Sequence, residues 1–280
     1  MTGVATAPHD TFAALAAKIT ANTAFRCASY KERTLRRRIA VRMRACGATS
    51  YDAYARLLDD DVHEYERLLD ALTINVTRFF RDRATFDVVA ARVIPALWDD
   101  PRPMTVWSAG TSSGEEAYTL AALLHDHARA RHAAGGRSAS GRGIGIVGTD
   151  IDRASLERAR AAQYPPGVFA EAPASLLERL FPADANGSRS VASELRSLVA
   201  FEHRDLLRDP PPGSDFALVS CRNVVIYFER AAQEEVLSKL HGALRPGGYL
   251  LLGRVEAMFG AMRRLFEVVS VRDRIYRRLP

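Results

Sequence analysis

Residues 106–123, VWSAGTSSGEEAYTLAAL, decide the fold. Val106-Trp107-Ser108-Ala109 is short, apolar and β-prone, so it reads as a buried strand. Gly110 to Gly114 supplies a tight turn, and from Glu115 onward the composition and apolar spacing are helical. A strand, a glycine-bounded loop and a helix in succession form the ligand-binding corner of an open α/β sheet, where ligands sit beyond the carboxyl ends of the strands. A helix N-terminus ordinarily receives phosphate on its free N–H groups. Here Glu115 and Glu116 fill the first turn and repel phosphate, which favours a ligand with positive charge. The same acids also suit the helix dipole with no ligand at all.

Outside this corner the composition sets limits. A chain of 280 residues, 48% hydrophobic and 26% charged, is long enough for one large or two modest domains with a real core. No apolar run approaches the length of a membrane span, and Met1–Asp10 lacks the basic start and hydrophobic stretch of a secretory signal, so a cytoplasmic location without membrane insertion is expected. Cys27, Cys46 and Cys221 are too scattered for a disulfide framework or a zinc cluster, and the histidines show no metal-ligand spacing; no metal is expected. The formal charge is +6, and Lys31–Arg44 holds seven basic residues against Glu32, a net of 7 − 1 = +6. The remainder is close to neutral, so nucleic-acid binding is not expected.

Residues 11 to about 80 read as helical. Thr11–Ile19 is amphipathic; in Lys31–Arg44, Leu35, Ile39 and Met43 share one face while Arg33, Arg36, Arg37 and Arg44 lie mostly elsewhere. Such a basic face is either simply solvated or a docking surface for an acidic partner. Thr49 or Ser50 caps a helix through Leu58, and Val62–Leu72 forms another. Asn75-Val76-Thr77-Arg78-Phe79-Phe80-Arg81 joins this part to an α/β part, with the phenylalanines packing and Asn75, Thr77 and Arg81 able to face a cleft. Phe86–Leu97 is predicted as a helix, Ala128–Gly143 as a mobile loop, and Ile144–Thr149 as a second strand closed by Asp150-Ile151-Asp152. An acid at that strand end is placed to accept ribose hydroxyls, or else to cap the helix Arg153–Ala162. S-adenosylmethionine, a nucleoside with a sulfonium, an ammonium and no phosphate, suits both acid positions. Further along, Glu171–Phe181 reads as a helix, Ala183–Ser197 resists assignment, and Leu198–Glu202, Asp215–Ser220 and Tyr249–Gly253 read as strands around the helix Ala231–Leu244. The tail, Phe266–Arg272 and Asp273–Leu279, predicts an antiparallel edge on a mostly parallel sheet.

Several separated stretches fall in a recognisable order: YKERTLRRRIAVRM, INVTRFFRD, VWSAGTSSGEEAY, GTDID, SCRNVVIYF and LRPGGYLLLG. In these the chain resembles the chemotaxis receptor methyltransferases (CheR-type), from about Tyr30 to the C-terminus. The resemblance implies an α/β fold, a Rossmann-like class I methyltransferase sheet (81–280) with a small N-terminal all-helical domain (1–80). It implies transfer of a methyl group from S-adenosylmethionine to receptor glutamates, leaving S-adenosylhomocysteine. Carried over residue by residue, Asn75, Thr77 and Arg81 match cofactor-cleft positions. Glu116 matches the acid at the methionine end, Asp150 the ribose acid, Asp205 and Leu206 the pair near adenine, and Asn223 and Val224 positions beside the methyl-transfer site. Arg81 and Tyr227 match the residues nearest the chemistry. The partner so implied is an acidic receptor methylation helix, met by Arg33, Arg36, Arg37 and Arg44.

Two departures stand out. Members that tether to a receptor's C-terminal peptide carry a Gly-rich aromatic turn before the third strand; here ADANGSRSVASELRS has no aromatic residue, so no pentapeptide tether is expected. Gly253-Arg254-Val255-Glu256-Ala257 stands where the family more often shows His-Ser-Glu-Asn, with only Glu256 retained. Two other readings stay open: a methyltransferase for a different substrate class, and a non-catalytic module that senses the cofactor or its product.

Overall fold

The computed structural model describes residues 11–23, 25–73, 76–134 and 143–280. The chain divides into two compact units, Met1–Ile74 with Tyr227–Gln233, and Asn75–Ile226 with Glu234–Pro280.

The first unit contains α1 (Thr11–Asn22), α2 (Glu32–Ala45), α3 (Tyr51–Asp60) and α4 (Val62–Leu72). Ser50 caps α3 by accepting from the Ala53 N–H at 3.1 Å, and Asp61 caps α4 through the His63 N–H at 2.9 Å. The apolar faces meet in a core of Leu15, Ile19, Ile39, Tyr54, Leu58 and Leu68. Leu35 joins them, whereas Met43 is half-buried. Glu64 is buried among these helices and accepts both Arg42 nitrogens (2.6 and 2.8 Å) and the Tyr54 hydroxyl (2.8 Å), so the carboxylate enters the core with its partners. Residues 227–233 belong here by backbone pairing: the Lys31 N–H donates to the Tyr227 carbonyl at 2.9 Å and the Glu229 N–H to that of Ser29 at 2.8 Å. The bridge Tyr30↔Phe228 lies between these bonds, with the two rings edge-on at 5.0 Å.

The second unit is built on seven strands: β1 (Met104–Ala109), β2 (Ile144–Asp150), β5 (Val199–His203), β6 (Phe216–Cys221), β7 (Leu244–Leu252), β8 (Phe266–Ser270) and β9 (Ile275–Arg278). Their order is β5-β2-β1-β6-β7-β9-β8, parallel from β5 to β7 and antiparallel on both sides of β9. Every residue of β6 is buried and nearly every residue of β1, as continuous apolar runs in the middle of a parallel sheet require. The order reverses between β1 and β6, and this switch point opens the crevice at the strands' carboxyl ends. The helices of this unit are α5 (Arg83–Val88), α6 (Ile94–Trp98), α7 (Glu115–Ala133), α8 (Arg153–Ala161), α9 (Ala174–Leu180), α10 (Ser193–Arg196) and α11 (Arg230–Ala243), the last beginning in residues that cluster with the first unit. Among the described residues no helix is long and apolar enough to cross a membrane.

Three expectations need correction, and one open stretch is now assigned. The helix predicted over Phe86–Leu97 starts at Arg83 and runs to Trp98, widening into a π-turn over Val89–Val93. Pro95 has no N–H to return to the preceding turn, and Ile94 bonds five residues back to the Val89 carbonyl. The loop expected from Ala128 begins later, because α7 continues to Ala133; residues 135–142 lie outside the described chain. The helix expected over Glu171–Phe181 is shortened to α9, which starts after Pro173. Finally, the unassigned stretch folds back as a short hairpin. Asp184 accepts from the N–H groups of Asn186 and Ser188, Gly187 takes φ +81°, and β4 (Arg189–Ser190) pairs with β3 (Gln163–Tyr164).

Candidate functional site

The loop leaving β1 is laced to the end of β2. Gly110 and Thr111 both donate N–H to the Thr149 carbonyl, at 2.8 and 3.0 Å. Gly110 has φ +76°, and a Cβ there would stand 2.4 Å from Val224 Cγ2, so a side chain is excluded twice over. Ser112 also adopts positive φ (+51°) and donates its N–H to Asp150 Oδ2 at 2.7 Å. The Tyr164 hydroxyl donates to the Ser113 carbonyl at 2.6 Å, tying the small β3–β4 sheet to the same loop.

The two aspartates after β2 divide the work between them. Asp152 caps α8, accepting from the Ala154 N–H at 2.9 Å. Asp150 turns to the loop, its second oxygen accepting the Asp152 N–H at 2.9 Å. Burial pushes the Asp150 carboxyl up from its ordinary range, while the N–H groups of Asp152 and Ser112 favour the charged form. Asp205 follows β5, the neighbour of β2. The Arg204 N–H bonds the Asp150 carbonyl at 2.9 Å, and Asp205 accepts the Leu207 N–H at 2.8 Å, shaping the turn that carries half-buried Leu206. From α11, the Lys239 ammonium holds the carbonyls of Leu206 and Leu207 at 3.1 and 2.9 Å.

The acid pair opening α7 also separates. Glu115 is buried and accepts from the Ser113 hydroxyl; burial pushes its carboxyl up. Glu116 accepts the Ser108 hydroxyl at 2.8 Å and meets Arg222 Nη1 at 3.4 Å. Arg222 is the cation of the arrangement: its other Nη donates to the Arg81 carbonyl at 2.8 Å and to Asp82 at 2.9 Å, and its plane lies 4.8 Å from the centre of the Phe86 ring.

The phenylalanine pair is core. Phe79 stacks on Phe169 at 4.3 Å and meets Phe181 and Tyr164 edge-on at 4.9 Å; the Phe80 N–H donates to the Thr119 hydroxyl. Phe80 (φ +55°) and Asp82 (φ +62°) then turn the chain sharply and present Arg81 between them. The Arg81 guanidinium donates to the Val76 carbonyl at 2.7 Å, and Thr77 is half-buried nearby in sequence. Asn75 lies outside the described residues.

After β6, Asn223 adopts φ +62° and Val224 packs over Gly110. Both donate N–H to Glu256, at 3.0 and 2.9 Å. Tyr227, half-buried, belongs to the first unit, where its carbonyl is paired as described.

The structure thus links Glu116 to the Arg81 backbone through Arg222, and Asp150 to Val224 through the β1 loop at Ser112 and Gly110, with Asp205 and Leu206 adjoining through Arg204. Two participants lie beyond the sequence expectations. Arg222 is a lone charge inside the apolar run SCRNVVIYF, and that isolation is its sequence signal. Glu256 is the retained acid of a divergent stretch, and three of its partners, Asn223, Val224 and Ile226, lie thirty or more residues earlier.

Comparison with known proteins gives two family matches: residues 75–275 match the CheR methyltransferase SAM-binding domain, and residues 10–73 the CheR methyltransferase all-alpha domain. Chemotaxis protein methyltransferase 1 of Pseudomonas aeruginosa is 35% identical over 69% of this chain and 70% of its own length. Chemotaxis protein methyltransferase of Listeria innocua is 32% identical over 81% of this chain and 82% of its own. A 104.1 kDa protein of Rhodobacter capsulatus is 37% identical over 89% of this chain, which spans only 26% of that protein.

S-adenosylmethionine is therefore the cofactor, and the residues present fit it. The first turn of α7 carries carboxylates where a phosphate ligand would need bare N–H groups. Each Asp150 carboxylate oxygen accepts one N–H in the contacts above and keeps acceptor capacity for hydroxyls. In the loop between them, the buried Thr111 hydroxyl has no hydrogen-bond partner among the described residues.

Proposed function

The chain belongs to the CheR methyltransferase family, and on that premise we propose that it methylates glutamate side chains on the cytoplasmic domains of chemoreceptors, forming methyl esters. The observation that carries this reading is the pair of largely buried carboxylates, Glu116 and Asp150, at the carboxyl ends of the central strands. They suit a cationic nucleoside, whose activated methyl group can pass to an anionic acceptor. When bound, the cofactor supplies a sulfonium-activated methyl group. A substrate glutamate, with an ordinary pKa of about 4.3, arrives ionised at neutral pH and needs no general base. The protein's task is then to orient and to exclude water, which can supply on the order of 7–11 kcal/mol.

In this proposal Asp150 accepts ribose hydroxyls, Glu116 meets the methionine end, Asp205 and Leu206 border adenine, and Asn75, Thr77, Asn223 and Val224 complete the cofactor site. Arg81 offers charge to the incoming carboxylate, and Tyr227 borders the transferring methyl. The helical unit docks the receptor. Arg33, Arg37 and Arg44 are exposed, have no acidic partner among the described residues, and share one stripe of α2. Arg36 is engaged at home, bonded to Glu32 at 2.6 Å and lying 3.9 Å over the Phe12 ring, so it contributes less. With no aromatic residue in the Asp184–Ser188 turn, docking proceeds without a C-terminal peptide tether.

The deciding experiment is transfer of labelled methyl from S-adenosylmethionine to a receptor cytoplasmic fragment, with base-labile methanol release identifying the ester. Binding of S-adenosylhomocysteine without any transfer would support a sensing module instead. Transfer only to small molecules or nucleic acid would point to another substrate class.

A further inference from the structure

Glu256, in the divergent stretch after β7, is 4% exposed, and among the described residues no basic side chain pairs with it. Among the described residues its carboxylate accepts four hydrogen bonds, all from backbone N–H groups. Oε2 accepts from Gly253 at 2.5 Å and Asn223 at 3.0 Å; Oε1 accepts from Val224 at 2.9 Å and Ile226 at 3.2 Å. Three of the four donors lie on the loop that follows β6. That loop would otherwise present a row of unpaired N–H groups in a partly buried place, and its Asn223 sits in the left-handed region that a residue with a side chain seldom adopts. One carboxylate answers both problems, because its two oxygens can each accept twice.

The consequence reaches the neighbouring loop. Val224, held by Oε1, is the residue that closes over Gly110, and Gly110 begins the β1 loop whose Ser112 binds Asp150. Glu256 therefore fixes one wall of the strand-end crevice directly and the second through Val224. We propose that Glu256 is a positioning residue of the cofactor site: an anionic clamp that holds Asn223–Ile226 in the shape that binds S-adenosylmethionine. It touches no ligand and acts only through the loop. This rests on the cofactor assignment and is independent of the identity of the methyl acceptor.

Glu256→Gln keeps the shape but turns an NH2 group toward two of the four N–H donors, so half of the clamp becomes repulsive. Gly253→Ala attacks the same contact from the other side and leaves the charge in place. Its Cβ would stand 2.7 Å from Glu256 Oε2 and 2.8 Å from the Asn223 nitrogen, while Gly253 itself has no left-handed φ to forbid alanine. Isothermal titration of the full chain with S-adenosylhomocysteine should show Kd raised at least about tenfold in both variants, since each loses hydrogen bonds to a buried charge. With a methyl acceptor in hand, KM for the cofactor should rise in parallel while kcat stays within about threefold. Circular dichroism identifies which variants are folded at the titration temperature. A folded Glu256→Gln protein that binds within twofold of wild type would reduce Glu256 to a stabilising group and overturn the proposal. If Glu256→Gln does not fold, an unchanged Kd in Gly253→Ala overturns it equally. Wild-type protein that ignores S-adenosylhomocysteine would remove the cofactor assignment and the clamp together, a result distinct from either.

Discussion

Replacing Arg222 by methionine probes the network that joins the β6 loop to the turn after Phe80. The side chain is 2% exposed and contacts Glu116, the Arg81 carbonyl and Asp82 at 3.4, 2.8 and 2.9 Å. Methionine fills most of the same length, so a cavity contributes little. What is lost is three charge-assisted contacts, and what remains is two carboxylates, 13% and 26% exposed, without their cation. Breaking a buried pair from one side costs about 3–5 kcal/mol; water can reach Asp82, which places the expectation near the lower bound, ~3 kcal/mol. Urea unfolding followed by circular dichroism measures the loss. Adding Glu116→Gln removes one stranded charge, and the double variant should be about 1–2 kcal/mol more stable than the sum of the single losses predicts. Affinity for S-adenosylhomocysteine should fall in Arg222→Met as well, because Glu116 is no longer held. A loss under about 1 kcal/mol, or strict additivity in the cycle, would refute the claim that these charges form one unit.

Asp150→Ala removes the acceptor for two backbone N–H groups and for the proposed ribose contacts; at about 1.5–3 kcal/mol per hydrogen bond to a charge, Kd for S-adenosylhomocysteine should rise at least ~100-fold by titration calorimetry. Arg81→Ala and Tyr227→Phe should instead lower turnover by about tenfold or more while that Kd moves much less, and wild-type rates in both would dismiss their assignment to the chemistry. Reversing Arg33 and Arg37 to glutamate should raise KM for a receptor fragment several-fold at low salt, with the difference shrinking as salt is added and cofactor affinity intact.

Much of this was legible because local rules act on short stretches. Alternating apolar strands and amphipathic helices give the parallel order, the glycines around Thr111 give the corner, and the tail shows its antiparallel pair. Asp150 and Asp152 could be proposed as one binder and one cap, but which is which depends on the Ser112 N–H, 38 residues before Asp150 along the chain. The end of α7 was hidden because ARARHA is as good a helix former as a loop; alanine and arginine both rank high in helix propensity. Asn186-Gly187 is a hairpin signal, obscured by the small polar residues around it. Arg222 and Glu256 mark the limit. Each works mainly on backbone or charges brought close by the sheet: the Arg222 contacts to Arg81, Asp82 and Glu116 and the Glu256 contacts to Asn223, Val224 and Ile226 span no short window of sequence.

The backbone pairing of residues 29–31 with 227–229 bears on how the chain is made. The helical unit takes its last seven residues, Tyr227–Gln233, from a point 227 − 74 = 153 residues past the end of its own first segment. At about 5–20 residues per second, a ribosome needs ~8–30 s to deliver them, far longer than helices take to form. During that interval the Tyr30 edge is left waiting for its partner. The N-terminal helices cannot complete this pairing as an early, independent package, and a fragment ending near residue 74 would lack the Phe228 ring that meets Tyr30.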